Sequence, residues 1–424
     1  MIAMRHYNGR RRGLRAFTLI ELLITMSIIA IMASMVLVGL YSAQEAGKQA
    51  KTKALIAKLD SIIKYRWESY RTRRVPIVLA PPPLPSDPTY LTYKYNVALA
   101  RLAALRDQMR MELPDRWSDI VSVTGTGPTY TVTTTPAGLQ NVMMPGGPTL
   151  AGIPTSSVWR GYVRRVTAGK QPTLDFQGAE CLYMIVMSAL AEEGDARDVF
   201  KPGDVGDFDG DGFPEFLDAW GQPIRFLRWA PGFQYSELQV VAHAVSTAPA
   251  SSGKLTISDP GLSSTAGAYV GGTIIATNAP SSGALTSPYS FDPTQAARIT
   301  DYQPTGVGQG TITFASTGSP TFSNVWVLIM APDPFDPFGT TATNAIPSFA
   351  LYPLIYSAGP DKAYSITSDA PNGVTVLSYP AVVPNPFVLV SMSPVEMVGN
   401  ATPGAADPSN GWADNIHNHM QGRR

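Results

Sequence analysis

The stretch R-A-F-T-L-I-E-L-L-I-T-M-S-I-I-A-I-M-A-S-M-V-L-V-G-L-Y, residues 15–41, decides how the chain is read. Between Phe17 and Tyr41 one residue is charged, Glu21. As a helix this run rises ~37 Å, more than the ~30 Å hydrocarbon thickness of a bilayer. It is longer than a secretory signal core of roughly 7–15 residues, and no A-x-A site follows it. Arg5, Arg10, Arg11, Arg12 and Arg15 precede it. A carboxylate inside such a run costs roughly 2.5–3.5 kcal/mol at the membrane centre and less near its edge. Glu21 therefore calls for a partner.

The helical pattern continues past the span. Residues 42–70 hold no proline, and Ala54, Leu55, Ala57, Lys58, Leu59, Ile62 and Ile63 recur at nearly helical spacing. Pro76 and the run Pro81-Pro82-Pro83 close the segment. The spacing predicts one helix from 17 to about 72, with its second half packed on a head. Two further helices are expected over 95–113 and 176–194, the latter with Cys181 on its apolar face as a buried structural thiol. Residues 118–170 read as strands and loops. Short β-prone runs stand at 222–229, 237–245, 325–330 and 353–357, and are expected to form a twisted antiparallel sheet against the long helix. Residues 245–325, rich in Ser, Thr, Gly, Ala and Pro, read as an inserted, loop-heavy β region.

The composition bounds function. Across 424 residues, 32 Lys and Arg balance 32 Asp and Glu. Residues 1–74 nonetheless hold 14 basic and 4 acidic side chains, so the remainder is acidic. The overall neutrality argues against a nucleic-acid binder. A lone cysteine excludes an internal disulfide framework and a cysteine-based zinc site. No G-x-x-x-x-G-K-[ST], H-E-x-x-H or G-x-S-x-G occurs, and no carboxylate pair is singled out by spacing as acid and base, so the chain reads as a non-enzyme. His243 reads as a core or surface histidine, and His417 and His419 as part of a solvated tail.

The sharpest chemistry lies in G-D-V-G-D-F-D-G-D-G-F-P-E-F-L-D, residues 203–218. Asp207, Asp209 and Asp211 alternate, Gly212 follows, and Glu215 and Asp218 complete positions 9 and 12 of a calcium loop, with the Phe213 carbonyl at position 7. Calcium takes six to eight hard oxygens at ~2.3–2.6 Å, which alternating carboxylates on a tight turn supply. Pro214 and the terminal Asp depart from the EF-hand pattern, and no helix is expected after the loop. The same residues also fit an ion-free Asp/Gly turn. The loop resembles those of dockerins and integrin-type β-propellers, which use several copies where this chain has one.

R-A-F-T-L-I-E-L-L-I resembles the class III signal of type IV pilins and type II secretion pseudopilins. The resemblance implies that prepilin peptidase cuts between Ala16 and Phe17 and methylates the new amino terminus of Phe17. Glu21 becomes the fifth mature residue, whose carboxylate meets the charged terminus of a neighbouring subunit in the filament. The family usually has Gly where this chain has Ala16. The segment Asp218-Ala219-Trp220-Gly221-Gln222-Pro223 is similar to the D-x-W-G-x-P segment of the major pseudopilin, Ser357-Ala358-Gly359-Pro360-Asp361 to its S-x-G-x-D, and Asp414-Asn415-Ile416 with Asn418 to its D-I-x-N. In that family carboxylates of the last two segments hold Ca²⁺, which implies Asp361 and Asp414 as a second candidate calcium site, here over fifty residues apart.

The reading is an α+β, pilin-like protein. A leader covers 1–16, a transmembrane half-helix 17–41 and an amphipathic half 42–75. An α+β head over 76–244, the insertion 245–325 and a C-terminal β region and closing loop over 326–424 follow. By resemblance the chain is a calcium-binding prepilin or pseudopilin of a type II secretion pseudopilus or a type IV pilus. It sits as a single-pass inner-membrane protein with residues 1–16 cytoplasmic and the head periplasmic or extracellular. Its expected partners are further copies, other pilins or pseudopilins, prepilin peptidase and the inner-membrane assembly platform. A membrane-anchored calcium-binding adhesin that never polymerises, using 245–325, is the alternative from another class. An anchored polysaccharide hydrolase rests only on the dockerin-like loop.

Overall fold

The structure, a computed structural model, describes residues 18–75, 81–124, 131–136, 142–143, 149–150, 155–168, 172–173, 175–193, 199–230, 239–244, 253–280, 291–315, 322, 325–339, 349–364, 366 and 414–420. It divides into two compact units, residues 1–50 and 51–424. Helix α1 (Leu19–Ser69) runs from the first into the second.

In the first unit the apolar side chains of α1 are exposed all round. Its large hydrophobics range from 51% exposed at Ile24 and Ile28 to 82% at Leu19. Among the described residues this is the one helix long and apolar enough to cross a membrane.

In the second unit the same helix is amphipathic. Thr52, Leu55, Ile56, Leu59, Ile63 and Trp67 are buried, and Tyr70 follows just beyond the helix. This stripe differs from the one expected: Ala54 is exposed, while Thr52, Ile56 and Trp67 join. The 3–4 residue spacing holds, shifted slightly around the cylinder.

Helix α2 (Tyr90–Glu112) starts five residues before the expected Tyr95. Asp87 explains the early start, because its carboxylate accepts the Thr89 N–H (2.8 Å) and hydroxyl (2.7 Å) and shapes the entry. From Leu99 onward α2 is buried on nearly every face, polar residues included, and those are paired. Glu112 takes a fork from Arg73 (2.5 and 2.9 Å) and the Tyr70 hydroxyl (2.8 Å), while Arg106 meets Asp333 at 2.9 Å. Strands β1 (Val121–Thr124) and β2 (Thr131–Pro136) pair, as do β3 (Val142–Met143) and β4 (Thr149–Leu150). Helix α3 (Ser157–Ala168) falls where strands and loops were expected. Trp159, Tyr162 and Val166 give it a buried stripe that the Thr/Val/Gly/Pro-rich surroundings mask.

Helix α4 (Gln177–Glu193) matches its expected place and carries the buried Cys181. Strands β5 (Val205–Gly206) and β6 (Glu215–Phe216) flank the acidic loop, and β7 (Arg225–Leu227) follows. A Cβ on Gly178 would lie 2.7 Å from the Phe226 carbonyl oxygen, so α4 packs backbone to backbone on β7. Arg228, fully buried, donates to Asp119 and to the Leu113 carbonyl, both at 2.8 Å, and pins the end of β7 beneath α2.

The four β-prone runs do not form one sheet. Strands β8 (Gln239–Ala244), β9 (Lys254–Ser258), β10 (Thr273–Pro280), β11 (Phe291–Gly306), β12 (Gln309–Ala315) and β13 (Val325–Met330) close an antiparallel barrel in the order β10-β11-β12-β9-β8-β13. The region read as loop-heavy thus has a core of its own, and it takes in β8 and β13 as well. Period-two alternation sorts its faces: Ile274, Val327 and Ile329 point inward, while Ile275, Leu328 and Met330 pack outside with Phe349. Strands β14 (Leu354–Ser357) and β15 (Ile416–His417) join β7 in a separate sheet, ordered β15-β14-β7. That sheet and helices α1 to α4 share the main core, where Leu59, Trp117, Ile185, Phe226, Ile355 and Ile416 meet.

Replacing Leu59 by Ala is expected to lower stability by about 2–5 kcal/mol, as for other fully buried leucines. Removing the exposed Tyr65 side chain should change it by less than about 0.5 kcal/mol. Urea unfolding of the purified protein in detergent, followed by tryptophan fluorescence, reads both.

Candidate functional site

The N-terminal signal and the acidic loop are the two places where chemistry concentrates. At the first, Thr18 and Glu21 form a capping box. The Thr18 N–H and hydroxyl both donate to Glu21 Oε2 at 2.9 Å, and the Glu21 N–H returns to Thr18 Oγ1 at 3.3 Å. The T-x-x-E spacing is the sequence signature of this box. Glu21 thus has a local partner within the chain. Ala16 and Phe17 lie outside the described residues.

The acidic loop is clamped by aromatic rings at both ends. Phe208 packs edge-on against Phe176 (5.1 Å) and Phe213 against Trp117 (5.1 Å). Trp117 Nε1 also donates to the Thr173 carbonyl at 2.9 Å, which sets Thr173 beside the loop. The Thr173 N–H then donates to Asp211 at 2.7 Å and its hydroxyl to Asp209. Within the loop Asp207 accepts from Gly210 (2.8 Å) and Gly212 (3.0 Å), both in the left-handed region where a side chain would strain the backbone. Asp211 accepts from Phe213 N (2.8 Å) and Glu215 from Phe208 N (2.9 Å).

These bonds gather the carboxylates of Asp207, Asp209 and Asp211 within 4.8 Å of one another. A second triad within the same limit joins Asp209 and Glu215 to Glu180, from the first turn of α4. Glu180 is absent from the sequence-level set; its signal is a lone acid on an otherwise apolar helix face. Burial, then Asp211 through its charge and a hydrogen bond to the protonated acid, then the charges of Glu215 and Asp209, push its carboxyl up to about 11. Burial chiefly, with Asp209, Asp207 and Asp211, pushes Glu215 up to about 8.

Asp218 is engaged elsewhere. Its Oδ1 accepts the N–H groups of Trp220 (2.8 Å) and Gln222 (2.9 Å), and its Oδ2 accepts the Ser357 hydroxyl at 2.6 Å. The Ala219 N–H reaches Thr52 Oγ1 on α1 at 3.1 Å. Phe213 is a core side chain as well as a loop residue.

The remaining sequence candidates converge on the same sheet. Asp361 N donates to Asp414 Oδ2 at 3.2 Å, and Asp361 Oδ1 accepts Ala363 N at 2.8 Å. Gly359, at φ +73°, lies where a Cβ would meet the Asp414 carbonyl oxygen at 2.5 Å, so the close approach at this point requires glycine. Asn418 reaches Asp60 on α1 at 2.7 Å and the Pro353 carbonyl at 2.9 Å. His417 is buried and His419 half-buried, with Nε2 3.0 Å from the Pro353 carbonyl oxygen. The expected solvated tail is instead docked, because strand pairing with β14 carries residues 416–417 into the core. The His243 side chain lies outside the described residues.

Residues 11–37 match the prokaryotic N-terminal methylation motif, the signal of type IV pilins and pseudopilins. No curated protein and no solved structure matches the chain.

Two outcomes follow from this geometry. Asp218→Ala strands three donors and is expected to cost about 3 kcal/mol in a denaturant melt. Burial, then repulsion from His419, holds His417 down to about 3, and burial holds His419 down to about 4, against an ordinary 6.5. Both are neutral in the fold, so their docking contributes fully above pH 6.5 and is lost as pH falls toward about 4. Each unit of pH in that window should cost about 1.4 kcal/mol per histidine. A melting series from pH 7.5 to about 4 checks this, and His417→Gln should flatten it.

Proposed function

We propose that the protein is a type IV pilin-like or pseudopilin precursor, a structural subunit rather than an enzyme. Prepilin peptidase cuts it between Ala16 and Phe17 and methylates Phe17. The uncut chain sits in the inner membrane with its leader cytoplasmic and its head outside, and the cut leaves Phe17 as the terminus of the membrane-held subunit. The observation that carries this reading is the methylation motif at 11–37 running into a helix whose large apolar side chains are exposed. A surface of that kind is stable in lipid or against like helices, not in water.

Assembly follows from the same residues. Packing the apolar halves of neighbouring helices together lets them leave the lipid without meeting water, exposure to which would cost about 1.5–3 kcal/mol per large side chain. The Glu21 carboxylate exchanges its bonds to Thr18 for the charged terminus of Phe17 on a neighbour. In a low-dielectric filament core that attraction is strong, and it relieves the cost of an unpaired charge while fixing axial register. The filament is built from further copies or from other pilins and pseudopilins, on an assembly platform in the inner membrane.

One observation favours the type II secretion branch. The segments at 218–226, 355–361 and 414–418, which resemble the major pseudopilin, come together through the β15-β14-β7 sheet and the Asp218–Ser357 bond.

Intact mass spectrometry of the protein from its native membrane is expected to find N-methyl-Phe17 at the terminus; a terminus at Met1 or Met4 would sink the proposal. Glu21→Ala should abolish filaments by electron microscopy while the membrane-bound level of the subunit stays within about twofold. Filaments formed as before would remove the register role of Glu21.

A further inference from the structure

We propose that Glu180, Asp207, Asp209, Asp211 and Glu215 form one divalent-cation site with the chemistry of calcium, in which α4 supplies the carboxylate that the loop alone lacks.

The carboxylates alone do not carry the case, because acidic loops are common on ion-free surfaces. Glu180 does. It is 1% exposed, no donor reaches either of its oxygens, and its carboxylate faces Asp209 and Glu215. Glu215 is 0% exposed, and its Oε1 likewise has no donor, although Oε2 is bonded to the loop. Buried polar atoms are nearly always satisfied, and a buried acid with no donor and no counter-charge is a group that folds rarely keep without a ligand. Unsatisfied oxygens on two neighbouring buried acids, both beside Asp209, are what a cation explains.

The spacing agrees. Ligand oxygens 2.3–2.6 Å from a common ion lie no farther apart than about 4.6–5.2 Å, and both triads, which share Asp209, fall within 4.8 Å. The loop oxygens already accept backbone N–H groups, but a carboxylate oxygen has a second lone pair free for a metal. All the donors are oxygen, which selects a hard cation over zinc or copper. Two carboxylate triads meet at Asp209, whereas magnesium is usually bound through one or two carboxylates with its waters retained. Asp207 and Asp209 are exposed, so the ion has a path from solvent while Glu180 and Glu215 close the inner side. Asp218, the expected last ligand, is spent on Trp220, Gln222 and Ser357, and Glu180 takes that place from another part of the chain.

The test uses the full-length protein in detergent, stripped with chelator and titrated with CaCl₂ alone by calorimetry and by thermal melt. Wild type is expected to bind with a dissociation constant of ~10⁻³ M or tighter and to gain melting temperature. Glu180→Gln keeps the shape and removes a buried acid. Its ion-free melting temperature should equal or exceed that of wild type, while its calcium affinity falls at least about tenfold and its calcium-induced shift shrinks. Glu215→Gln should behave likewise, and Asp361→Asn should leave both readouts unchanged. No heat and no shift for wild type at about 10 mM CaCl₂, or equal calcium affinity in Glu180→Gln, would overturn the proposal. Loss of binding in Asp361→Asn with Glu180→Gln unaffected would overturn it in favour of the C-terminal carboxylates.

Discussion

Burial of one stripe of α1 is the constraint on which the head depends. Leu55, Ile56, Leu59, Ile63 and Trp67 enter the main core together with residues from all three other helices and from the β15-β14-β7 sheet. Hydrophobic burial supplies the driving force but no register, since it is non-directional. Register comes from polar contacts within the stripe, on its flanks and just past its end. Lys51 meets Asp204 at 2.9 Å, Thr52 receives Ala219, Asp60 receives Asn418, and Tyr70 donates to Glu112. Each ties a different stretch of sequence to a fixed height on the helix. The Trp67 ring adds an edge contact to Phe335 at 5.0 Å, which brings in the segment leaving the barrel.

A single run of acidic residues, 203–218, divides between two tasks. Asp207, Asp209, Asp211 and Glu215 fold back on one another around Gly210 and Gly212. Asp218, three residues past Glu215, faces the opposite way and holds the turn that docks on Thr52. The short pair β5 and β6 makes the division possible, because pairing Gly206 with Glu215 closes the loop before Asp218 is reached. One side of the strand pair concentrates negative charge, and the other holds a carboxylate with three hydrogen bonds.

Much of this was legible in the sequence, and the illegible parts have physical causes. The long helix, α4 and the strands at 225–227 and 354–357 follow from periodicity, which a single segment contains in full. The apolar span and Glu21 follow from hydropathy and a motif. The barrel did not, because closure is a property of six strands together. Most are short, and Ser, Thr and Gly along them resemble loop composition. Helix α3 was hidden by its neighbours' composition, although W-R-G-Y-V-R-R-V carries a usable stripe. For the acidic loop, spacing identified the three aspartates and Glu215 but placed Asp218 with them, since spacing takes no account of a strand pair that turns the chain. Glu180 lies outside any local pattern, because the fold rather than the sequence makes it a neighbour of Asp209.

The barrel's point of attachment has a consequence for how the head is assembled. Gln239 and Met330, where the chain enters and leaves the barrel, are register partners on adjacent strands. Beyond the barrel, β7 and β14 pair directly, Leu227 against Leu354. Without the barrel, that pairing closes a very long loop, and the entropy of doing so retards folding more than it weakens the final state. Once β8 and β13 have zipped, the two arms emerge side by side and the loop is effectively short. A barrel that closed first would deliver β7 and β14 to each other. Because both arms leave from one spot, its far end is free to gain or lose residues over evolutionary time without disturbing the sheet that rests on α1.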